Sequence, residues 1–318
     1  MSLLEFISKF PDEASCRAHW KTHRENVGIV CKRCGCEKHY WLSNNEKWRC
    51  SSCRSETTLR SGTVMENSKL PFRYWFIAMH LLTATKKGFS TLELKRQLGH
   101  KRYQPIWEMV HKLRSVMGQR DRLYQLESVV ELDEGFFKSQ PEQDSEDQDD
   151  LKRGRGSQQQ AKVLVMVESE PVDEDEDEQQ KHRPNRKAGH LRMVVIPNLE
   201  AGTLDMNAQK CIDPKAEVLT DASTSYSLLS QSFDKHTSFN LSNLEVNADT
   251  LLPWVHISIS NAKRWINGTF HHVKQKYLQN YLNEFCYKYN RRYFKDRLFD
   301  RLLIAAATFH WIPVDSTG

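Results

Sequence analysis

Apolar residues recur with a helical period at the beginning of the chain, again before residue 120, and once more towards its end. Residues 1–24 predict a short helical lead-in, and residues 71–85 carry their large apolar side chains on one side of a helix. Two further helices are predicted over residues 90–98 and 104–117. The region from about residue 253 to 310 is predicted to be helical again.

The middle of the chain has the pattern of β-strands. Its four apolar or alternating runs are SVVELDEGFF, KVLVMVE, LRMVVIP and AEVLTD. Strands followed by helices predict a mixed α/β core in a chain that is α+β overall. Two acidic stretches, residues 141–150 and 173–178, interrupt the strands, and each precedes a basic patch. Because such stretches cannot bury apolar surface, we predict loop insertions at 138–160 and 169–189, with shielding of a DNA channel as the alternative role.

The composition indicates a soluble protein with a polyanionic partner. The chain of 318 residues contains no apolar run long enough to span a membrane, and its N-terminus lacks the features of a signal peptide. We therefore expect a cytoplasmic protein without a membrane partner. Residues 138–188 contain 14 acidic and 9 basic residues, and the remainder, with 27 acidic and 37 basic residues, has a net charge of +10. This distribution favours a partner such as double-stranded DNA.

Four of the eight cysteines form two closely spaced pairs. Two residues separate Cys31 from Cys34 and Cys50 from Cys53, and fifteen residues separate the pairs. This spacing predicts a zinc ribbon, in which two tight turns present four thiolates to one structural Zn²⁺ ion. A redox-active pair or free thiols are the alternative, and Cys36 is a spare ligand that four-coordination does not need. The basic and aromatic residues around the ribbon would suit either DNA contact or packing on a neighbouring element.

The segment between residues 88 and 117 has the pattern of a helix-turn-helix. A short turn containing Gly99 joins two helices, and Ser90 or Thr91 would cap the first. In such a motif the beginning of the second helix enters the major groove of DNA. The residues at that position, predicted to contact DNA, are Lys101, Arg102, Tyr103 and Gln104. An ordinary helical hairpin is the alternative.

Carboxylates on two of the predicted strands are candidates for binding divalent ions. In VVELDEG, alternation places Glu131 and Asp133 on one face, and in AEVLTDAS an apolar strand ends at Asp221. Carboxylates on neighbouring strands are one way for a sheet to hold two Mg²⁺ ions for phosphoryl transfer. On the helix that begins near residue 253, His256 and Lys263 fall on one stripe. From residue types alone, a solvated strand edge is the alternative.

From Cys31 to about Leu303 the chain resembles the zinc-ribbon transposases of bacterial insertion sequences, specifically the ISXO-like group. The matching segments are the ribbon with HYWLSNNEKWRC, SGTVMENSKLPFRYWF, ATKKGFSTLELKRQLG, VELDEGFF, VLTDAS and the long HISISNAKRWINGTFHHVKQKYLQNYLNEFCYKYNRR. The resemblance implies an RNase H-like catalytic core with DDE-type chemistry, preceded by a zinc ribbon and a helix-turn-helix segment.

The resemblance also implies site residues. By this match the family's first and second aspartates are Asp133 and Asp221, and its lysine after the third ligand is Lys263. The commonest third ligand is a glutamate seven residues before that lysine, where this chain has His256. A neutral imidazole can bind a divalent ion, although Mg²⁺ prefers oxygen, so His256 is the expected third ligand. Glu284 is the alternative ligand, and a structural ion pair with one of the nearby arginines is its other interpretation.

The implied function is DNA transposition. With Mg²⁺ or Mn²⁺ bound, one site would cut a strand at a terminal inverted repeat and then join the freed 3′-hydroxyl to target DNA. Lys263, and more loosely Arg264, would hold a phosphate, and synapsis of two ends implies self-association on DNA. The alternative is a sequence-specific DNA-binding regulator whose catalytic core has decayed or been recruited. A His-x-His nuclease with a tyrosine nucleophile is disfavoured, because His271 and His272 are adjacent.

These predictions divide the chain into five parts. They are a helical lead-in (1–26), the zinc ribbon (27–60), a helical DNA-binding region (61–120), the RNase H-like catalytic domain with its acidic insertions (121–312) and a tail (313–318). We expect the protein in the bacterial cytoplasm, and at the nucleoid when it is bound to DNA.

Overall fold

The structure is a computed structural model that describes residues 1–140, 160–171, 186–240, 251–271 and 273–311. Of the loop insertions predicted at 138–160 and 169–189, the acidic stretches 141–150 and 173–178 lie outside the described residues. The ends of these insertions, residues 138, 160, 169–171 and 186–189, belong to strands instead, because they continue the backbone pairing of the sheet. The chain forms two units: Met1–Arg120 together with the chain from Arg291 onward, and Asp121–Asn290. In the part of the chain that is described, no helix has both the length and the apolar content needed to span a lipid bilayer.

The first unit is mostly helical and contains a small sheet. Its elements before residue 121 are α1 (Leu3–Lys9), α2 (Glu13–Val27), β1 (His39–Leu42), β2 (Lys47–Cys50), β3 (Glu56–Thr58), α3 (Phe72–Ala84), α4 (Thr91–Gln97) and α5 (Gln104–Asp121). The predicted lead-in contains two helices, because Pro11 separates α1 from a new start at Asp12. The Asp12 carboxylate accepts a hydrogen bond from the Ser15 N–H at 2.8 Å and so caps α2.

A tight turn joins α4 to α5. Of the two candidate caps, Ser90 is the one used: its hydroxyl accepts from the Glu93 N–H at 3.1 Å. Gly99 ends α4 with a φ of +62°, a conformation that costs other residues energy. The side chain of His100 then holds the turn, because its Nδ1 lies 3.2 Å from the N–H of Arg102.

The second unit is built on a five-stranded sheet. Its strands are β4 (Val129–Lys138), β5 (Gln160–Pro171), β6 (Arg186–Ile196), β7 (Glu217–Asp221) and β8 (Lys235–Phe239), in the order β6-β5-β4-β7-β8. Strands β4, β5 and β6 are antiparallel, whereas β7 runs parallel to β4 and β8 runs parallel to β7. Its helices are α6 (Ala201–Gln209), α7 (Leu229–Ser232), α8 (Pro253–Asn267) and α9 (Gln275–Asn290).

Helices cover both faces of this sheet. Helices α8 and α9 pack on one face, where Val165 and Leu219 are buried, and α6 and α7 pack on the other face, where Leu132 and Val218 are buried. The mixed sheet between helices confirms the predicted α/β class and agrees with an RNase H-like core. The four predicted strands correspond to β4–β7, whereas β8 and α6 were not predicted.

After Asn290 the chain returns to the first unit, to which its last helix, α10 (Leu298–Thr308), belongs. The ring of Phe299 on α10 is buried, and its centroid lies 5.9 Å from that of Phe6 and 6.0 Å from that of Phe76. The second unit therefore ends at Asn290, whereas the predicted boundary of the catalytic domain was residue 312. Burial of the apolar side of α10 among the aromatic rings of the first unit accounts for this difference.

Candidate active site and zinc site

Asp133 and Asp221 lie at the same level on neighbouring parallel strands. Strand β4 pairs with β7 so that Glu131 is opposite Leu219, and each aspartate follows two residues later on its strand. Because side chains alternate between faces, both aspartates share the face of Leu219, which packs with α8. Neighbouring strands are about 4.8 Å apart, a separation at which two carboxylates can bind the same ion.

A backbone N–H group orients each of these carboxylates. Asp133 Oδ1 accepts from the N–H of Glu134 at 2.7 Å, and Asp221 Oδ1 accepts from the N–H of Ser223 at 3.1 Å. Ser223 precedes the short 3₁₀ turn Thr224–Tyr226 that follows β7. Local chain geometry, within β4 for Asp133 and at the end of β7 for Asp221, therefore fixes one oxygen of each aspartate.

His256 on α8 lies beside Asp133. Its Nδ1 atom is 3.6 Å from Asp133 Oδ2, and both side chains are partly exposed, 30% for His256 and 18% for Asp133. Helix α8 presents buried Val255, Ile259 and Ala262 to the sheet, and His256 lies on the stripe next to these residues, on the side of Asp133. The structure thus brings the expected third ligand next to the first aspartate.

Gly135 allows α8 to approach β4 closely. A Cβ atom at this position would lie 3.4 Å from Ile259 Cγ1 on α8 and only 2.9 Å from Cε2 of Phe137. An alanine here would therefore press on the ring of Phe137, whereas its Cβ atom would meet Ile259 at an ordinary contact distance.

Lys263 and Arg264 differ in their surroundings. Lys263 is partly exposed, and its Nζ lies 5.8 Å from the ring centroid of Phe137, which is on the same face of β4 as Asp133. Arg264 is exposed, and its guanidinium turns back to its own helix, donating to Asn261 Oδ1 at 3.1 Å. Lys263 is therefore the cation nearer the aspartate face.

Glu284, the alternative third ligand, is fully buried on α9. Its Oε1 lies 3.4 Å from Nζ of Lys288, one turn later on the same helix. Helix α9 packs on β6, which is two strands away from β4 in the sheet. This environment matches the structural ion pair considered for Glu284, with a lysine as partner.

Two residues near the aspartates were not predicted from the sequence. Burial, and then the negative charge of Asp133, raises the pKa of Glu134 to about 7. Burial, followed by the charges of Glu134, Asp133 and Asp221, raises the pKa of the Tyr226 hydroxyl. Alternation along β4 places Glu134 on the face opposite Asp133, so only the adjacency of the two acidic residues in the sequence could have signalled it. This concentration of negative charge favours a divalent cation.

The aspartate site is more open than the cysteine site. Among the described residues, only Cys31, Cys34, Cys50 and Cys53 bring three or more His, Cys, Asp or Glu ligand atoms within 4.8 Å of one another. Where two metal ions lie roughly 3.5–4 Å apart and share the ligands between them, the ligand atoms do not all have to lie within 4.8 Å of one another. The donor set of two carboxylates and one imidazole suits Mg²⁺ or Mn²⁺.

The four cysteine thiols have the geometry of a tetrahedral metal site. Cys31 Sγ lies 3.5 Å from Cys53 Sγ, and Cys34 Sγ lies 3.6 Å from Cys50 Sγ. A Zn²⁺ ion about 2.3 Å from each sulfur would separate them by about 3.8 Å, so the thiols fit this ion. Hydrogen bonds from the backbone N–H groups of Arg33 and Cys34 lower the pKa of Cys31 to about 6, which favours the thiolate that binds metals.

Comparison with known proteins identifies the second unit. A family model described as the ISXO2-like transposase domain matches residues 125–290, just over half of the chain. The chain belongs to this transposase family. Among solved structures it is similar to a chain of the "Crystal structure of a pre-cleavage Mos1 transpososome", with 11% sequence identity and a TM-score of 0.27 over 78% of this chain and 82% of that chain. No curated protein matches the sequence.

The zinc ribbon lies outside the matched transposase domain and packs on α2. Trp48 is buried and donates from Nε1 to Glu25 Oε1 at 3.1 Å, and Lys21 Nζ lies 4.8 Å from the ring centroid of Trp41. These tryptophans therefore serve packing. Three cations of the ribbon are exposed and have no ion-pair partner within the described ranges; they are Arg33, Lys38 and Arg54.

The four residues predicted to contact DNA are all exposed at the turn and at the beginning of α5. Lys101 and Arg102 also line a cavity of about 640 Å³ between the start of α3 and the start of α5. Lys69 and Lys112 contribute further positive charge to this cavity, whereas Glu108 is its acidic residue. The turn is therefore accessible and electropositive, as contact with phosphates requires.

Proposed function

We propose that this member of the transposase family binds the terminal inverted repeats of an insertion sequence and catalyses metal-dependent strand cleavage and strand transfer. One observation carries the proposal: Asp133 and Asp221 share one level and one face of adjacent parallel strands, with His256 Nδ1 3.6 Å from Asp133 Oδ2. Two carboxylates on neighbouring strands, with a third donor beside them, are what phosphoryl transfer with two metal ions requires.

Asp133, Asp221 and His256 would hold the divalent ions. Two bound ions would activate the attacking oxygen and stabilise the leaving oxygen of an in-line displacement. The two aspartates supply the negative charge for this binding, and the Glu134 N–H and Ser223 N–H keep their oxygens oriented. The imidazole of His256 is a softer donor than a carboxylate, so we expect Mn²⁺ to support the reaction at least as well as Mg²⁺.

Lys263 would position the DNA strand at this site. It lies two turns after His256 on α8 and carries a positive charge on the aspartate face, where it can bind a phosphate next to the scissile one. Arg264, which bonds to Asn261, would contribute only to the general attraction of the backbone.

The first unit would recognise double-stranded DNA. Lys101 and Arg102, together with the ribbon cations Arg33, Lys38 and Arg54, would bind phosphates, because all five are exposed and none forms an ion pair within the part of the chain that the structure describes. Tyr103 and Gln104 at the start of α5 would reach base edges. Since strand transfer joins two transposon ends to one target, the protein would act as at least a dimer on DNA. The four cysteines would hold one structural Zn²⁺ ion.

Incubation of the purified protein with duplexes that carry the inverted repeats flanking its gene tests this proposal. We expect nicks at the end of the repeat in Mg²⁺ or Mn²⁺ and none in EDTA. Specific binding without cleavage in either ion would instead support a DNA-binding regulator with a decayed core.

A further inference from the structure

Helix α8 begins without a capping side chain of its own. Its N-cap residue is Leu252, which has no polar side chain, and Pro253 follows at the first helical position. A helix leaves its first N–H groups without partners in the helix, and Pro253 has none to offer. The N–H groups of Trp254 and Val255 therefore need an acceptor from elsewhere.

Glu131 supplies that acceptor from the sheet. Its Oε2 accepts from the Trp254 N–H at 2.7 Å and from the Val255 N–H at 2.9 Å, and the side chain is 0% exposed. Glu131 lies on β4, two residues before Asp133 and on the same face. One buried carboxylate thus ties the first turn of α8 to the strand that carries Asp133.

A long ion pair reaches the other oxygen of this carboxylate, Oε1, which accepts no hydrogen bond among the described residues. Arg186 Nε lies 4.0 Å from Glu131 Oε1 and donates to Ser169 Oγ at 2.6 Å. The backbone oxygen of Arg186 accepts from the indole Nε1 of Trp254 at 2.8 Å. The start of α8 is therefore bound to β4 through Glu131 and to β6 through Arg186.

This cap has a cost that a surface cap avoids. Leu252 at the N-cap is itself buried in the core, so the acceptor comes from β4, where burying a carboxylate carries a large desolvation cost. The arrangement on β4 differs from a surface cap in one respect: it fixes the distance between α8 and the strand of Asp133. His256 follows Val255 directly, so any displacement of this turn moves its imidazole.

We infer that Glu131 is a positioning residue, which fixes the first turn of α8 against β4 and thereby holds His256 beside Asp133. This inference rests on the proposed function, since it gives Glu131 a role in the metal site formed by Asp133, Asp221 and His256.

The test compares Glu131 with a glutamate of similar local role. Glu168 on β5 also accepts from two backbone N–H groups, those of Glu127 at 3.0 Å and His190 at 2.6 Å, but it holds no part of α8. Glu131→Gln keeps an oxygen acceptor and the volume, Glu131→Met removes the acceptor, and Glu168→Gln is the control. Each full-length variant, loaded with zinc, is titrated with Mn²⁺ while free Mn²⁺ is followed by electron paramagnetic resonance.

Substitution of a residue that supports a metal ligand typically weakens metal binding by about 10- to 100-fold. We therefore expect Glu131→Gln to raise the Mn²⁺ concentration for half-saturation about tenfold. Glu131→Met should raise it further, the concentration for half-maximal cleavage should follow, and Glu168→Gln should leave both unchanged. If Glu131→Met does not fold, Glu131→Gln decides.

The inference would be overturned if Glu131→Gln and Glu168→Gln lowered the melting temperature by the same amount and both bound Mn²⁺ as tightly as the wild type. Glu131 would then contribute to stability alone. If the proposed function is wrong, the result is different: Asp133→Asn would bind as much Mn²⁺ as the wild-type protein, because no ion would be held by Asp133.

Discussion

Three acidic residues lie within four positions of β4, and each has a different environment. Glu131 is fully buried and accepts from two helix N–H groups, Asp133 is partly exposed beside His256, and Glu134 is partly buried with a pKa raised to about 7 by burial and by Asp133. Their chemistry follows from these surroundings, since residue type and spacing are nearly the same for all three.

At the third-ligand position, the effect of His256 is expected to depend on the metal. His256→Ala should lower the cleavage rate, but by less than loss of either aspartate, because a neutral donor contributes less to binding a hard cation. His256→Glu should keep or raise activity in Mg²⁺, which prefers oxygen ligands. Cleavage rates in Mg²⁺ and Mn²⁺ test this, with Ser260→Ala, one turn further along α8, as the control. A silent His256→Ala beside an inactive Glu284→Gln would move the third ligand to Glu284.

His111 on α5 gives a prediction for acid stability. Burial, and then the charge of Arg114, lowers the pKa of His111 from 6.5 to about 2. The folded protein keeps this imidazole neutral while the unfolded chain gains a proton below about pH 6.5, so its contribution to stability is present above that pH and is lost as the pH falls. The slope contributed by one such group approaches about 1.4 kcal/mol per pH unit.

The free energy of unfolding, measured by urea denaturation between pH 7 and pH 5, tests the His111 prediction. His111→Phe preserves a ring against Trp107, whose centroid lies 4.1 Å away, and should flatten the dependence on pH. His271, which is exposed, provides the control as His271→Phe. An unchanged slope in His111→Phe would contradict the assignment.

Among the elements, the ribbon of β1–β3 depends on its cysteines. Its strands are three to four residues long, so they supply little stability without a metal ion. Cys31→Ser combined with Cys50→Ser should abolish zinc binding, measured by metal analysis of the purified protein. Cys36→Ser should retain one ion per chain, because Cys36 lies outside the four-thiol group. Full zinc content in the double variant would contradict the site.

Substitutions at the turn between α4 and α5 should affect the affinity for DNA and the sequence specificity differently. Lys101→Gln and Arg102→Gln should weaken binding to all sequences and lower the slope of log affinity against log salt concentration by about 0.9 each. Tyr103→Ala and Gln104→Ala should instead reduce discrimination between sites, by about 1–3 kcal/mol for a lost base contact. Lys235→Gln is the control, since Lys235 already pairs with Glu217 at 2.7 Å. Equal effects on specific and random duplexes in all four variants would rule out base contacts.

Elements with strong periodicity were predictable, and elements with polar or short sequences were not. Helices α3–α5 and strands β4–β7 correspond to predicted segments because one side of each faces a core. Strand β8, KHTSF, is a partly exposed edge strand whose pairing with β7 depends on backbone hydrogen bonds rather than on apolar alternation. Helix α6 buries only Leu204 and Ala208, too few residues for a helical period.

The candidate site was predictable in its residue types but not in its geometry. The sequence offered Asp133, Asp221 and His256 as candidate ligands, partly through a family resemblance. The strand register that sets the two aspartates level pairs residues about 90 positions apart. The link from Glu131 to the first turn of α8 joins residues about 120 positions apart. Such contacts depend on tertiary pairing, which no local pattern encodes.

On the scale of the whole molecule, the division of the chain follows from burial. Phe299 packs against Phe6 and Phe76, more than 200 residues earlier, and so α10 belongs to the first unit although it follows the transposase domain in sequence. The apolar side of α10 predicted a buried helix but could not indicate which core it joins. The proposed division of labour assigns DNA recognition to the first unit and strand chemistry to the second.

Asp133 and Asp221 are proposed to hold the catalytic metal ions. The most direct test measures cleavage of, and binding to, the inverted-repeat duplex by Asp133→Asn and Asp221→Asn. Asparagine keeps the shape but removes the charge, so we expect the cleavage rate to fall by several orders of magnitude with binding nearly unchanged. Asp213→Asn, in the turn before β7, is the control and should cleave normally. Wild-type cleavage by Asp133→Asn would contradict the claim.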